Sequence, residues 1–286
     1  MHYLQQIGAQ QLEDLKQVYS REWPKYCKEY YCLDTFVDLH RKIPQQEDVK
    51  VYALTDLELG LFVIVDRCQI FVGYLESERS ESLLEKALLQ LDLLGGEQFS
   101  SMPKRYFKVA NDVLQAKNLK TEIDSKTYSL VLAKEDARKF QVEPPEGFSL
   151  KSLSVDDAPF IDSQWDWSDQ GTLYFLQRHI FCNTSVGLFN DEDNELVAWC
   201  VRAQDGLLAA LQVKPSYKRR GFGALVVKEF SRREALQGRD IITEVTLENK
   251  ASFGLFTKLG FKVNDQCHWL FTEDPSRVIK YNSSCT

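Results

Sequence analysis

Leu207-Leu208-Ala209-Ala210-Leu211-Gln212-Val213-Lys214-Pro215-Ser216-Tyr217-Lys218-Arg219-Arg220-Gly221-Phe222-Gly223-Ala224 is the stretch on which the fold of this chain turns. An apolar run reads as a strand and stops at a proline, which cannot extend a ladder. A basic turn with two glycines follows, and a helix is expected over residues 222–236. Successive backbone N–H groups at such a turn, added to the positive end of the helix dipole, form a concave anion site suited to a pyrophosphate. Gly221 and Gly223 let the backbone approach a ligand with no Cβ in the way. Lys218, Arg219 and Arg220 put three positive charges at the same spot, and Lys228, Arg232 and Arg233 follow along the helix. The plainer reading is a tight turn with a solvated basic face.

Context decides between the two. A strand expected at Ile241-Ile242-Thr243-Glu244-Val245-Thr246 leads into Asn249-Lys250-Ala251-Ser252, and then into Phe256-Thr257-Lys258-Leu259-Gly260-Phe261. A basic glycine loop followed at this separation by these two segments resembles the GNAT superfamily of acyl-CoA-dependent N-acyltransferases. The loop of that superfamily reads R/Q-x-x-G-x-G/A, and its next strand leads to N-x-x-A/S and Y-x-K-x-G-F. The resemblance implies an acyl-CoA (or CoA) cosubstrate with no permanently bound cofactor and no metal. Lys218, Arg219, Arg220, Gly221, Phe222, Gly223 and Ala224 would hold the pyrophosphate, with Lys218 standing where the superfamily has Arg or Gln. Leu211, Gln212 and Val213 would offer backbone groups to the pantetheine arm, an N–H there polarising the thioester carbonyl. Asn249 and Ser252 would lie beside the same arm or cap the following helix. Phe256 stands at the position of the superfamily tyrosine that protonates the departing thiolate.

A narrower resemblance covers the second half. Pro144-Pro145-Glu146-Gly147-Phe148, the segment around Trp165, Gln177-Arg178-His179-Ile180, and the run from Trp199 through Gly206 to Tyr217 look like the glycine N-acyltransferase family. That family conjugates acyl groups to glycine or another small amino acid and pairs a degenerate GNAT-like first half with an active second half. The expected fold is α/β (α+β mixed sheet), a tandem GNAT-like architecture with a degenerate N-terminal half. The boundary is placed at Pro144-Pro145, giving a domain over 1–143 without a CoA loop and a CoA-binding catalytic domain over 144–286.

The hydrophobic pattern is compatible with that division. Two helices, the second opened by Pro24, precede strands over 49–54, 59–65 and 69–75, helices over 80–94 and 103–117, and a strand over 128–133. The second half reads as a strand (148–153), helices (155–166, 170–180), strands (185–190, 195–203, 206–213), the 222–236 helix, the 241–246 strand, a helix (250–259) and strands at 261–264 and 267–272. Where the second half has its basic loop, the first has Glu76-Ser77-Glu78-Arg79-Ser80-Glu81, acidic and glycine-free, so one CoA site per chain is expected.

In the family a Glu follows the glycine that opens the strand before the loop; here that position is Leu207, which accepts no proton. Removing a proton from an ammonium acceptor then needs another group or a water chain. Glu244 is the candidate, its alternatives being a side chain that points to solvent or an ion pair with a neighbouring basic residue. His179 and His268 read better as packed, hydrogen-bonded histidines, and Cys200 and Cys267 as small buried hydrophobes. Trp165, Trp167, Phe175 and Phe181 are either an acyl pocket or core.

Composition excludes other classes. With 35 Lys+Arg against 42 Asp+Glu the 286-residue chain carries a net charge of −7, which disfavours a general nucleic-acid partner. The longest apolar run, residues 59–65, is far too short to span a membrane. Seven cysteines without a C-x-x-C pair point to a reducing compartment and away from structural zinc. The sequons at Asn183 and Asn282 then read as chance matches. With no signal or transit pattern at Met1, a cytoplasmic location is expected, a mitochondrial one being what the family resemblance allows. The expectation is amine acylation by direct attack in a ternary complex. The alternatives are a silent CoA-binding protein, or an acetyltransferase for a polyamine or protein amine.

Overall fold

The computed structural model describes residues 4–165 and 171–274. Trp167, Asn282 and Cys285 lie outside them. In chain order the elements are β1 (Leu4–Gln6), α1 (Ala9–Val18), α2 (Cys27–Lys42), β2 (Val49–Leu54), β3 (Phe62–Asp66), β4 (Gln69–Gly73), α3 (Ser80–Leu89), β5 (Gln98–Pro103), α4 (Lys104–Ala116), β6 (Thr121–Leu132) and α5 (Lys134–Ala137). They continue as β7 (Phe148–Lys151), α6 (Ala158–Gln164), α7 (Thr172–Cys182), β8 (Ser185–Asn190), β9 (Leu196–Arg202), β10 (Leu207–Val213), α8 (Phe222–Leu236), β11 (Ile241–Thr246), α9 (Lys250–Lys258) and β12 (Lys262–Thr272).

The compact units are not the two halves of the sequence. Among the described residues, one comprises 4–18, 46–126 and 266–274; the other, 19–45, 127–165 and 171–265. A single cut at 143 therefore gives way to a partition in which strands are exchanged. In the first unit β12 pairs antiparallel with β5, and in the second β6 pairs antiparallel with β11 over six residues. Each unit thus closes its sheet with chain from the far half of the sequence.

The first unit runs β1-β2-β3-β4 antiparallel, followed by a parallel β4–β5 step across α3. The second runs β7-β8-β9-β10 antiparallel, followed by a parallel β10–β11 step across α8. The repeated order read from the sequence is this repeated topology. In the second unit Leu130, Val186, Leu208, Val226, Val227, Phe230, Ile241 and Val245 form the core beneath α8 and α9. On the other face, Ile161, Leu176, Ile180, Trp199 and Val201 pack under α6 and α7.

Helix α2 belongs to the second unit because its charges are matched there. Arg202 pairs with Glu234, lies 3.5 Å from Asp34, and donates to Thr35 Oγ1 from Nη2 at 2.9 Å. Arg239 reaches Asp34 at 2.9 Å and Asp38 at 2.5 Å. Buried charges of this kind are tolerated only when paired, so the helix is held by partners that the second unit supplies.

Other boundaries moved for local reasons. Pro24 precedes α2 rather than opening it, its carbonyl accepting the Cys27 N–H at 3.0 Å in a turn. β3 starts only at Phe62 because Asp56 caps a short 3-10 turn over 57–59 that Gly60 ends at φ +67°. The helix begun at Ser80 stops at Leu89, short of Gly95 and Gly96, both with positive φ. β5 was not foreseen, its Ser100-Ser101 lacking apolar alternation, and β6 and β12 are longer than expected, β12 running unbroken through 262–272.

Candidate functional site

The parallel pairing of β10 with β11 is brief. Leu207 sits opposite Ile242 and Leu208 opposite Thr243, and no further pair follows although both strands continue. On its other side β10 breaks register with β9 between Ala209 and Gln212. Ala210 there takes φ +51°, a left-handed conformation that a residue with a Cβ adopts only where its surroundings impose it. Bulge and divergence together open a wedge in the sheet along Leu211, Gln212 and Val213. The Gln212 side chain turns away, donating to the Gln164 carbonyl at 2.6 Å.

The wedge leads to the loop before α8. After a 3-10 turn at Pro215–Tyr217 the backbone takes positive φ at Arg219 (+66°) and Gly221 (+84°). Among the described residues, the N–H groups of residues 219–224 have no hydrogen-bond acceptor in the protein; the first bond of the helix is Leu225 N–H to the Gly221 carbonyl at 3.1 Å. A Cβ on Gly221 would meet nothing within 4 Å, so the space above it is open. One on Gly223 would meet Val213 Cγ2 at 3.4 Å, which is how closely the helix start sits on β10. A row of free donors at the end of a 15-residue helix is a physical anion site.

Charge distribution sharpens the picture. No carboxylate among the described residues pairs with Lys218, Arg219 or Arg220, whereas Arg232 and Arg233 are both held by Glu229, at 2.9 and 2.7 Å. Those two arginines, which follow the loop along the helix, therefore share one carboxylate between them. Arg220 lies over the rings of Phe222 (4.9 Å), Tyr217 (5.4 Å) and Phe148 (5.5 Å), a cation–π cradle that fixes its guanidinium. A cavity of about 280 Å³ adjoins the loop, lined by Gln141, Glu143, Gly221, Ala224, Leu225 and Lys228. Gln141, Glu143 and the aromatic cradle left no signal in the sequence, since they meet the loop only through the fold.

The other expected site residues take varied places. Asn249 caps α9, its Oδ1 accepting the Ser252 N–H at 3.0 Å. Phe256 was grouped with the cofactor residues, but it is 3% exposed and packs edge-on to Phe261 at 5.1 Å. It fills core and offers the wedge no surface. Leu207 is 3% exposed and serves the sheet. Phe181 points to solvent, Phe175 is buried, and Trp165 packs against the cluster under α6 and α7.

Among proton-bearing groups, burial pushes the His179 imidazole down to about 3, the neighbouring Arg178 adding to the effect, and the ring is hydrogen-bonded to Gln204. His268 bonds to Asp124 at 2.7 Å and stacks on Phe107 in the first unit. The Cys200 thiol is buried and pushed well up by desolvation, which rules it out as a ready nucleophile. Glu244 is ion-paired with Lys28 of α2, and its second oxygen accepts from Thr127 Oγ1 at 2.7 Å. Of the two alternatives to a catalytic role, the ion pair is present, and the solvent-facing side chain is not, the Glu244 side chain being buried. Asp205, on the turn before β10, is buried, and desolvation raises its carboxyl above the usual range. Among the described residues no three His, Cys, Asp or Glu side chains gather as a metal site, and no helix is long and apolar enough to cross a membrane.

This arrangement of diverging strands, bulge and donor-lined helix start defines a class, and comparison with known proteins bears on it. The family model described as "FR47-like protein" matches residues 185–270. A Drosophila protein of solved structure superposes with a TM-score of 0.85 at 19% identity, covering 97% of this chain and 100% of its own. A tandem GNAT protein from the clavulanic acid biosynthesis pathway gives 0.58 at 13%, covering 97% and 100%. A GCN5-related N-acetyltransferase from Sphaerobacter thermophilus gives 0.53 at 10%, covering 96% and 97%. No curated protein matches. The fold is that of the GCN5-related N-acetyltransferases, in its tandem form.

Proposed function

We propose that this protein is an acyl-CoA-dependent N-acyltransferase that moves an acyl group to the amino group of glycine or another small amino acid. The observation that carries the reading is the row of unbonded N–H groups at residues 219–224, flanked by unpaired Lys218, Arg219 and Arg220 and opening onto the β10–β11 wedge. Both the free donors and the open space at Gly221 suit a pyrophosphate. Leu211 to Val213 would carry the pantetheine arm along the wedge, and an N–H at the bulge would bind the thioester oxygen as it gains charge. The glycine-like acceptor rests on the resemblance of residues 144–217 to the glycine-conjugating family.

In the reaction the acceptor nitrogen forms a bond to the thioester carbon and the C–S bond breaks, the electron pair leaving with sulfur. The proton of the acceptor's ammonium passes to Glu244. The second N–H proton of the adduct goes to the departing thiolate, giving free CoA and an amide. Loss of the usual Glu at 207 and of a tyrosine at 256 favours a second reading, a CoA-binding protein without turnover. Thiol release from acetyl-, butyryl- and benzoyl-CoA, with and without small amino acids, separates the two. Amine-dependent release is the expected result. A melting temperature that rises with CoA in a sample showing no release would establish the second reading. Release with polyamines or peptides alone would change the acceptor.

A further inference from the structure

The second unit holds a buried charged cluster drawn from four segments. Lys28 comes from α2, Glu244 from β11, Thr127 from β6 and Asp205 from the turn before β10. The two ion-paired side chains are 8% and 4% exposed. Each oxygen of Glu244 has its own donor, Oε1 the Lys28 ammonium and Oε2 the Thr127 hydroxyl. Its place in the sheet matters as much. Thr243 is the last residue of β11 paired with β10, so Glu244 is the first beyond the point of divergence, level with the start of the bulge at Ala209.

The electrostatics are those of one ammonium acting on two carboxylates. Asp205 is attracted by Lys28 and repelled by Glu244. A carboxylate stripped of water loses its charge unless a cation compensates, and an opposite charge in contact lowers a carboxyl's proton affinity by about 1–3 pH units. Removing Lys28 takes from Glu244 the ammonium bonded to Oε1 while Asp205 still repels its charge, which favours the protonated acid. We propose that Lys28 is a positioning residue for acyl transfer, holding Glu244 ionised at its place beside the divergence of β10 and β11, so that the site needs a side chain from the first 45 residues. This rests on the reading of Glu244 as the proton acceptor.

The test uses the full chain with Lys28→Met, Lys28→Gln and Lys28→Arg, plus Glu244→Gln. Glutamate carboxyl carbons are followed by NMR against pH, the Glu244 signal being assigned by its loss in Glu244→Gln. The pH dependence of amine-dependent thiol release is measured in parallel. In Lys28→Met the Glu244 midpoint and the acidic limb of the rate profile should both move up by about 1–3 pH units, with Lys28→Arg restoring both. Lys28→Gln keeps a polar group without charge and serves if the methionine variant does not fold. A variant that merely melts earlier, with midpoint and limb unmoved, overturns the role of Lys28 while leaving the acyltransferase reading intact. No amine-dependent release from the wild-type chain overturns both.

Discussion

Gly206 and Tyr31 are in backbone contact: a Cβ on Gly206 would come within 2.8 Å of the Tyr31 carbonyl oxygen. The glycine also holds φ +83°, where a side chain is strained whatever the space. Helix α2 is thereby pressed against the turn that feeds the bulged strand. Gly206→Ala should cost at least about 2 kcal/mol, combining the left-handed penalty with a clash that rigid backbone cannot relieve. In a thermal melt this is a fall of roughly 4–8 °C. An unchanged melt would mean that α2 does not lie against this turn.

Gly221 has the same conformation without the crowding. Gly221→Ala should therefore cost only about 1 kcal/mol of stability, yet place a methyl where the pyrophosphate has to lie. CoA affinity by calorimetry should drop roughly tenfold or more, about 1.4 kcal/mol. Equal affinity in the two proteins would move the ligand off this loop.

The unpaired loop cations predict a salt effect. Replacing Lys218, Arg219 and Arg220 singly by Ala should weaken CoA binding roughly 10- to 100-fold at the positions that touch phosphate, since a charged hydrogen bond contributes about 1.5–3 kcal/mol. The dependence of affinity on ionic strength should flatten with each. Arg232→Ala, at a residue held by Glu229 and away from the loop, should do neither.

Arg202 is the centre of the network that retains α2. Arg202→Leu takes from buried Glu234 the cation in direct contact with it, leaving Arg239 at 3.9 Å, and should destabilise by up to about 3–5 kcal/mol in urea titrations. Adding Glu234→Leu should recover part of that loss. A double variant as unstable as the single one would show that the charge left behind is not what costs stability.

His179 makes stability depend on pH. Its folded value of about 3 lies below the ordinary 6.5, so between the two the unfolded chain binds one more proton than the native one. Stability from this residue is complete above pH 6.5 and falls as pH drops toward 3, by up to about 1.4 kcal/mol per pH unit. His179→Gln should flatten the slope of unfolding free energy between pH 4 and 6, measured by urea titration. An identical slope in both proteins would show that the ring titrates in the folded state.

The loop of residues 218–224, the helix after it and the repeated order of strands were legible in the sequence. Glycine conformations, helix starts and apolar periodicity are set by neighbours a few residues apart. Asn249 was legible as a cap for the same reason. Only the tertiary structure decided which chain segments share a unit. The exchange of β6 and β12 and the seating of α2 bring together residues more than a hundred positions apart, as in Lys28 with Glu244 and Asp34 with Arg239. Sequence pattern fixes which face of an element is apolar, but not which of two similar sheets it completes. That choice follows from where a buried charge finds its partner, Arg202 finding Glu234 and Thr35, and Lys28 finding Glu244. Phe256 and Arg232 show the same limit in reverse. Motif spacing placed Phe256 in the site and side-chain packing gave it to the core, while Arg232, which follows the basic loop in sequence, is held by Glu229.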